Sequence, residues 1–184
     1  ITIPEGVTTI GAATFYGCSS LEDVIIPESV TLIDEVAFWE CASLAKISLP
    51  ESLTQIGKQA FCLCRSLSEI TIPKNVTIIG QYAFNACYSL NTITSYASAP
   101  PALEGETVFN GVDRNIPVYV PYSAVEAYKT ADYWKEFANI LPMGTCGDNL
   151  TWKWTVEGEL IIEGRGEMTD YESYSAPWFA YKDD

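Results

Sequence analysis

A 23-residue period governs the first half of this chain. Phe15, Phe38, Phe61 and Phe84 stand 23 residues apart, as do Cys18, Cys41, Cys64 and Cys87, Leu21, Leu44, Leu67 and Leu90, and Pro4, Pro27, Pro50 and Pro73. A fixed period between about 20 and 30 residues, with a short apolar strand closing each unit, dictates a solenoid whose units stack only on their neighbours. The unit reads Ile/Leu-Pro, Val-Thr-x-Ile-Gly, Ala-Phe-x-x-Cys-x-Ser-Leu, x-x-Ile-x-Ile-Pro. Val7-Thr8-Thr9-Ile10 and Val24-Ile25-Ile26 alternate with the period of strands. Ala37-Phe38 and Ala60-Phe61 fall in a tight helical or 3₁₀-like turn between them. The fold expected is an α+β repeat, a solenoid of short parallel strands joined by turns or short helices, with its apolar columns merged into one core. One repeat alone buries too little to offset the entropy of ordering it, so stacking is obligatory and the ends need caps.

The punctuating columns carry local expectations. Pro ends each strand because it cannot donate to the next ladder. Gly11, Gly57 and Gly80 mark a bend at which positive φ is expected, and Asp34, the exception in that column, tolerates the left-handed region better than most residues. The hydroxyls of Thr8, Thr31, Thr54 and Thr77, and those of Ser20, Ser43, Ser66 and Ser89, are expected to tie one turn to the next. Four of the six cysteines share one column. Parallel side chains in a ladder are badly aimed for disulfides, so these four read as buried free thiols, with Cys62 and Cys146 outside the column.

The regular units break at Ser95-Tyr96-Ala97-Ser98-Ala99-Pro100-Pro101, yet Phe109 precedes Pro121 by the same 12 residues that separate Phe15 from Pro27, and Val118-Tyr119-Val120-Pro121 stands where Ile-x-Ile-Pro belongs. A fifth, enlarged repeat is expected there. Ser123-Ala-Val-Glu126 has the form of a capping box opening a helix to about Ile140, stopped by Pro142, with Trp134, Phe137, Ala138 and Leu141 on one stripe. Beyond it, Trp152, Trp154 and Val156 alternate, Glu157-Gly158 turns, and Leu160 and Ile162 alternate back as a β-hairpin. The expected division is a solenoid over 1–143, with four regular repeats in 1–95 and the fifth repeat and capping helix in 96–143, and a small aromatic-rich module over 144–184.

The chain has 24 acidic and 10 basic side chains and a net charge of −14. With no basic cluster, nucleic acid and anionic membranes are poor partners, and no apolar run approaches the roughly 20 residues needed to cross a bilayer. There is no His, no Gly-rich phosphate loop and no nucleophile elbow, so the expectation is a chain without catalysis, metal or cofactor.

The unit Ile-Pro-x-x-Val-Thr-x-Ile-Gly-x-x-Ala-Phe-x-x-Cys-x-Ser-Leu-x-x-Ile-x-Ile-Pro resembles the treponemal-type, BspA-like class of leucine-rich repeats over Ile1 to about Ile93, with Asp34 for Gly and Thr14 for Ala as departures. Ala99-Pro100-Pro101 through Val118-Tyr119-Val120-Pro121, Tyr128, Trp134 and Phe137-Ala138-Asn139-Ile140 looks like the closing region of such proteins in gut and oral Bacteroidetes and related bacteria. The segment from Gly144 to Trp178 resembles one that precedes a further run of repeats. With Ile1-Thr2-Ile3-Pro4 entering in mid-repeat, the chain reads as a fragment whose parent continues past Asp184. The resemblance implies a secreted or surface-anchored protein that contacts host matrix proteins, other cells or glycans.

Because the isoleucines of Ile-x-Ile point inward, the outward residues of successive strands are the candidate binding face: Asp23 and Ile25, Lys46 and Ser48, Glu69 and Thr71, Thr92 and Thr94. The alternatives are glycan recognition by Trp152, Trp154, Trp178, Phe179 and Tyr181, whose rings also suit packing of the hairpin, and an architectural spacer. Tyr16 and Trp39, before the Cys column, are further exposed aromatics to watch.

Overall fold

The computed structural model describes residues 1–181; the expected onward run beyond Asp184 lies outside the described residues. The elements are β1 (Thr9–Ile10), β2 (Leu32–Ile33), β3 (Gln55–Ile56), β4 (Glu69–Ile72), β5 (Ile78–Ile79), β6 (Thr92–Ser95), β7 (Ala102–Leu103), β8 (Pro117–Pro121), α1 (Val125–Thr130), β9 (Asn139–Gly147), β10 (Leu150–Trp154) and β11 (Leu160–Gly164). They form two sheets. One joins β1-β2-β3-β5-β7 in parallel, one two-residue rung per turn, and the other runs β11-β10-β9-β8-β6-β4. Parallel pairing holds Glu69↔Thr92, Thr94↔Tyr119 and Tyr119↔Leu141 side by side. After β9 the pairing becomes antiparallel through the hairpin.

Between the two sheets the Ala-Phe segment makes a third ladder. The N–H groups of Ala13, Phe15 and Gly17 donate to the carbonyls of Glu35, Ala37 and Trp39 one turn on, while those of Thr14, Tyr16 and Cys18 close their own turn on Gly11, Ala13 and Phe15. Val36, Phe38 and Glu40 repeat the first pattern onto Lys58, Ala60 and Cys62. This alternation requires left-handed backbone in two columns, at Ala13, Val36, Gln59 and Tyr82 and at Gly17, Glu40, Leu63 and Ala86, with φ between 51 and 70°. The expectation of positive φ at Gly11, Gly57, Gly80 and Asp34 is therefore wrong, because the bend lies two residues further on. The glycines answer a different need. A Cβ on Gly57 would stand 2.7 Å from the Asp34 carbonyl carbon, and one on Gly80 2.5 Å from the Lys58 nitrogen. Successive turns approach too closely there for a side chain.

The rings of Phe15, Phe38, Phe61, Phe84 and Phe109 stack in one column, with centroids 5.0–5.5 Å apart. Cys41, Cys64 and Cys87 are buried beside it, whereas Cys18, on the open face of the first turn, is exposed, and Cys62 and Cys146 are buried as well. The four-thiol core expected of the column is thus three. Threonine hydroxyls do link turns, Thr31 to the Thr8 carbonyl and Thr54 to that of Thr31. The matching serines are Ser29 and Ser52, bonded to Val7 and Val30 carbonyls, and among the described residues no such bond is made by the hydroxyls of Ser20, Ser43, Ser66 or Ser89.

The cap departs most from expectation. The helix spans only Val125–Thr130, Ser123 makes no capping bond, and a second, 3₁₀ turn covers Trp134–Glu136 after a left-handed Tyr133. Residues expected in a helix to Ile140 instead enter β9, where Ile140 pairs with Val118 and Pro142 with Val120. The physical reason is the bare edge of β8, whose N–H and C=O groups would be buried without partners had the chain stayed helical. The interrupted helix also places Trp134 and Phe137 against Phe109, the first tilted and the second edge-on. Tyr128 bonds Ser95 Oγ at 2.7 Å, and Trp134 Nε1 donates to the Pro101 carbonyl at 2.8 Å. Burial pushes the Tyr128 phenol up to about 12.

Candidate interaction face

Strand alternation sorts the second sheet into two sides. Ile70, Ile72, Ile93, Val118, Val120 and Ile140 join the core, so Glu69, Thr71, Thr92, Thr94, Tyr119 and Leu141 share the other side. Met143↔Lys153 and Lys153↔Ile161 carry that side into the hairpin, with Thr151 beside Glu163. The outward residues of the repeats and of the hairpin are one continuous face.

Of the eight candidate residues, Glu69, Thr71, Thr92 and Thr94 stand on β4 and β6 of this face, Lys46 and Ser48 flank it, and Asp23 and Ile25 belong to an earlier turn outside the paired strands of the second sheet. Asp23, Ile25, Lys46, Ser48, Glu69 and Thr71 are exposed; Thr92 and Thr94 are half-buried. Lys46, Ser48, Glu69 and Thr71 line a shallow depression of about 290 Å³, with Lys46 Nζ 2.8 Å from Glu69 Oε1. Glu69, Thr92 and Thr94 also line a larger groove of about 440 Å³, completed by Tyr96, Tyr119, Tyr122, Lys153 and Glu163. Asp23 and Ile25 lie outside both, on the turn that follows Ile1–Ile3, where Ile25 bridges to Thr2. Lys153 sits 5.5 Å above the Tyr119 ring centre and 3.6 Å from Glu163. Burial, with the charges of Glu157 and Glu163, raises the Tyr119 phenol above its ordinary value, so it remains a neutral donor.

The repeat pattern alone marks this face only as far as Thr94. Tyr119 was legible, since it holds in the fifth repeat the outward place of Thr94. Lys153 and Glu163 were not, because nothing in the hairpin's own pattern says that it extends the solenoid sheet.

Of the C-terminal candidate aromatics only Trp152 turns fully inward; Trp154, Trp178, Phe179 and Tyr181 are half-buried, Phe179 packing edge-on against Tyr174. Trp152 is fully buried, its indole lying over Gly144, where no Cβ would fit, and Trp178 meets both Trp152 and Tyr171 edge-on. Together with Cys146, Leu150, Trp154, Leu160 and Tyr181 they form a second small core. Tyr181 Oη donates to the Tyr122 carbonyl, fixing the segment beneath the groove. Tyr16 and Trp39 stack flat on each other at 4.5 Å. Among the described residues no helix is long and apolar enough to cross a membrane.

The model of a BspA type leucine rich repeat region matches residues 1–101 in six copies. This chain belongs to that family. Solenoids of the family are typically non-catalytic, and their repeat fold is consistent with a protein-interaction module. Among solved structures the chain is similar to the leucine-rich repeat protein TpLRR of T. pallidum, with 32% identity and a TM-score of 0.58 over 66% of this chain and 58% of that one. It also matches a leucine-rich repeat protein of Bacteroides ovatus (22% identity, TM-score 0.37, 65% and 47% covered) and a leucine rich cell surface protein of Faecalibacterium prausnitzii (23%, 0.31, 86% and 43%). The chain thus corresponds to roughly half the length of each. No curated protein matches it.

Proposed function

We propose that this chain is a non-catalytic binding module of a secreted or surface-displayed bacterial protein, and that it engages a host extracellular or cell-surface protein through the continuous outward face of its second sheet. The observation that carries this reading is the groove of about 440 Å³ in which repeat residues (Thr92, Thr94, Tyr119) and hairpin residues (Lys153, Glu163) meet. Tyrosine and threonine side chains supply flat apolar area and hydroxyl bonding at small entropic cost, a composition suited to protein surfaces. The ion pairs Lys46–Glu69 and Lys153–Glu163 sit on the face as orienting charges rather than as sources of affinity. Glycan recognition through Trp152, Trp154 and Trp178 is the weaker reading, since those rings are spent on packing.

The test is capture of labelled host extracellular proteins on immobilised chain, followed by affinity measurement for whichever binds. Tyr119→Ala with Thr94→Ala is expected to weaken that affinity by about tenfold or more, and Glu69→Lys to alter its salt dependence. An affinity unchanged in both variants would move the site off this face.

A further inference from the structure

β11 is the terminal strand of the second sheet, and its free side is a backbone edge with a definite polarity. The Arg165 N–H donates to the Asn149 carbonyl, and the Glu159 carbonyl accepts from Thr155 N–H. Those two bonds, with the register Trp152↔Ile162 between them, turn the backbone groups of residues 159, 161, 163 and 165 toward β10. By the alternation of a strand, Leu160, Ile162 and Gly164 present their N–H and C=O groups to the open edge. Neither Pro nor Lys interrupts Leu160-Ile161-Ile162, Ile162 is 37% exposed, and the charge within the strand, Glu163, sits on a residue whose backbone groups face β10, so the open edge is guarded by register rather than blocked.

We propose that this edge pairs antiparallel with the same edge of a second copy of the chain, about a two-fold axis at Ile162. The backbone polarity restricts pairing to registers that set 160, 162 and 164 against one another. Shifting the register by two residues one way sets Glu159 against Glu163 of the second copy; shifting it the other way sets Glu163 against Glu163. Among the registers that pair at least two of these three residues, only the one centred on Ile162 avoids like charges within residues 159–165. It places Ile162 against Ile162, Leu160 against Gly164, and Glu159 against Arg165, the last pair occurring twice by symmetry. Every outward N–H and C=O of the three residues then has a partner. The pairing joins two second sheets into one, with both outward faces, Ile161 and Glu163 included, left open to a partner protein. The contact is small, so association is weak and concentration-dependent.

Sedimentation velocity of the chain over roughly 10–200 µM reads this directly. Self-association is expected across that range, and Glu159→Arg or Arg165→Glu alone is expected to weaken it about tenfold by putting like charges opposite. The double variant, which restores opposite charges in swapped positions, should recover it. Ile162→Pro removes an outward N–H that β10 does not use and should abolish association, with unchanged far-ultraviolet circular dichroism as the check on folding. A chain monomeric throughout, a dimer indifferent to Glu159→Arg or Ile162→Pro, or a double variant no better than the singles would each overturn the proposal.

Discussion

Cys64 Sγ donates to the carbonyl oxygen of Phe38, one turn below, at 3.1 Å. The same relation joins Cys41 to Phe15 and Cys87 to Phe61. Each of these carbonyls also accepts the Cys N–H that closes its own turn, as Phe38 does from Cys41. The column therefore calls for a residue small and apolar enough for the core that still has a proton to donate, and a thiol meets both conditions.

Burial, opposed in part by hydrogen bonding from the backbone of the preceding cysteine in the column (Cys18, Cys41 and Cys64 in turn), pushes the Cys41 thiol from its ordinary value of 9.0 to about 11 and that of Cys87 to about 12, and Cys64 is raised as well. The folded state thus holds these protons more tightly than the unfolded chain. Their contribution to stability is complete below about pH 9 and is lost as pH rises toward 11–12, at about 1.4 kcal/mol per pH unit for each group. Denaturant titrations at pH 8, 9.5 and 10.5 should show that decline, and Cys64→Ala, though less stable at pH 8, should show a shallower one. In the native state a thiol reagent should label Cys18 and spare Cys41, Cys64 and Cys87.

Gly80→Ala places a Cβ against the backbone of Lys58, which has no freedom to yield. A loss of about 1–3 kcal/mol or more is expected in chemical denaturation. Gly17→Ala is the contrast: nothing lies within 4 Å of its added Cβ, Ala86 already holds the equivalent backbone, and the cost is limited to the left-handed conformation, about 1 kcal/mol.

Val36 is β-branched and sits at φ 51°. Val36→Gly removes that strain, and after the greater entropy of the unfolded glycine a net gain of about 0.5–1 kcal/mol should appear as a higher denaturation midpoint.

Trp134 closes the phenylalanine column and anchors the Pro101 carbonyl. Trp134→Ala is expected to cost about 3–5 kcal/mol. Because solenoid units are stabilised by their neighbours, hydrogen exchange should accelerate first in β7 and β8 and least in β2 and β3.

The repeat was legible because identical residues recur in identical surroundings: each Phe, Leu and Ile column fixes its own burial without reference to the rest of the chain. The left-handed columns were hidden because Ala, Val, Gln, Tyr, Glu and Leu occupy them, residues that advertise no such backbone; the hydrogen-bond alternation between turns imposes it. The end of α1 was hidden for a related reason. Ser123-x-x-Glu126 and the spacing of Trp134 and Phe137 are sound local signals for a helix, and the pairing demand of β8, which no local window contains, overrode them. The faint trace was Asn139-Ile140-Leu141-Pro142, a strand-and-proline pattern whose Ile140 falls 22 residues after Val118 (140 − 118), close to the period.

The Ala-Phe ladder has an electrical side. In each turn the N–H groups of one residue parity point onward and the carbonyls of the preceding residues point back, as at Ala37 and Phe38, so the peptide dipoles of this column add along the stack, as they do along an α-helix. The solenoid therefore carries a macrodipole without a long helix. Its negative pole lies at the first turn, near the carbonyls of Thr14 and Tyr16, and its positive pole at the turn of Phe109 and Gly111, where the cap of Trp134 and Phe137 packs over Phe109.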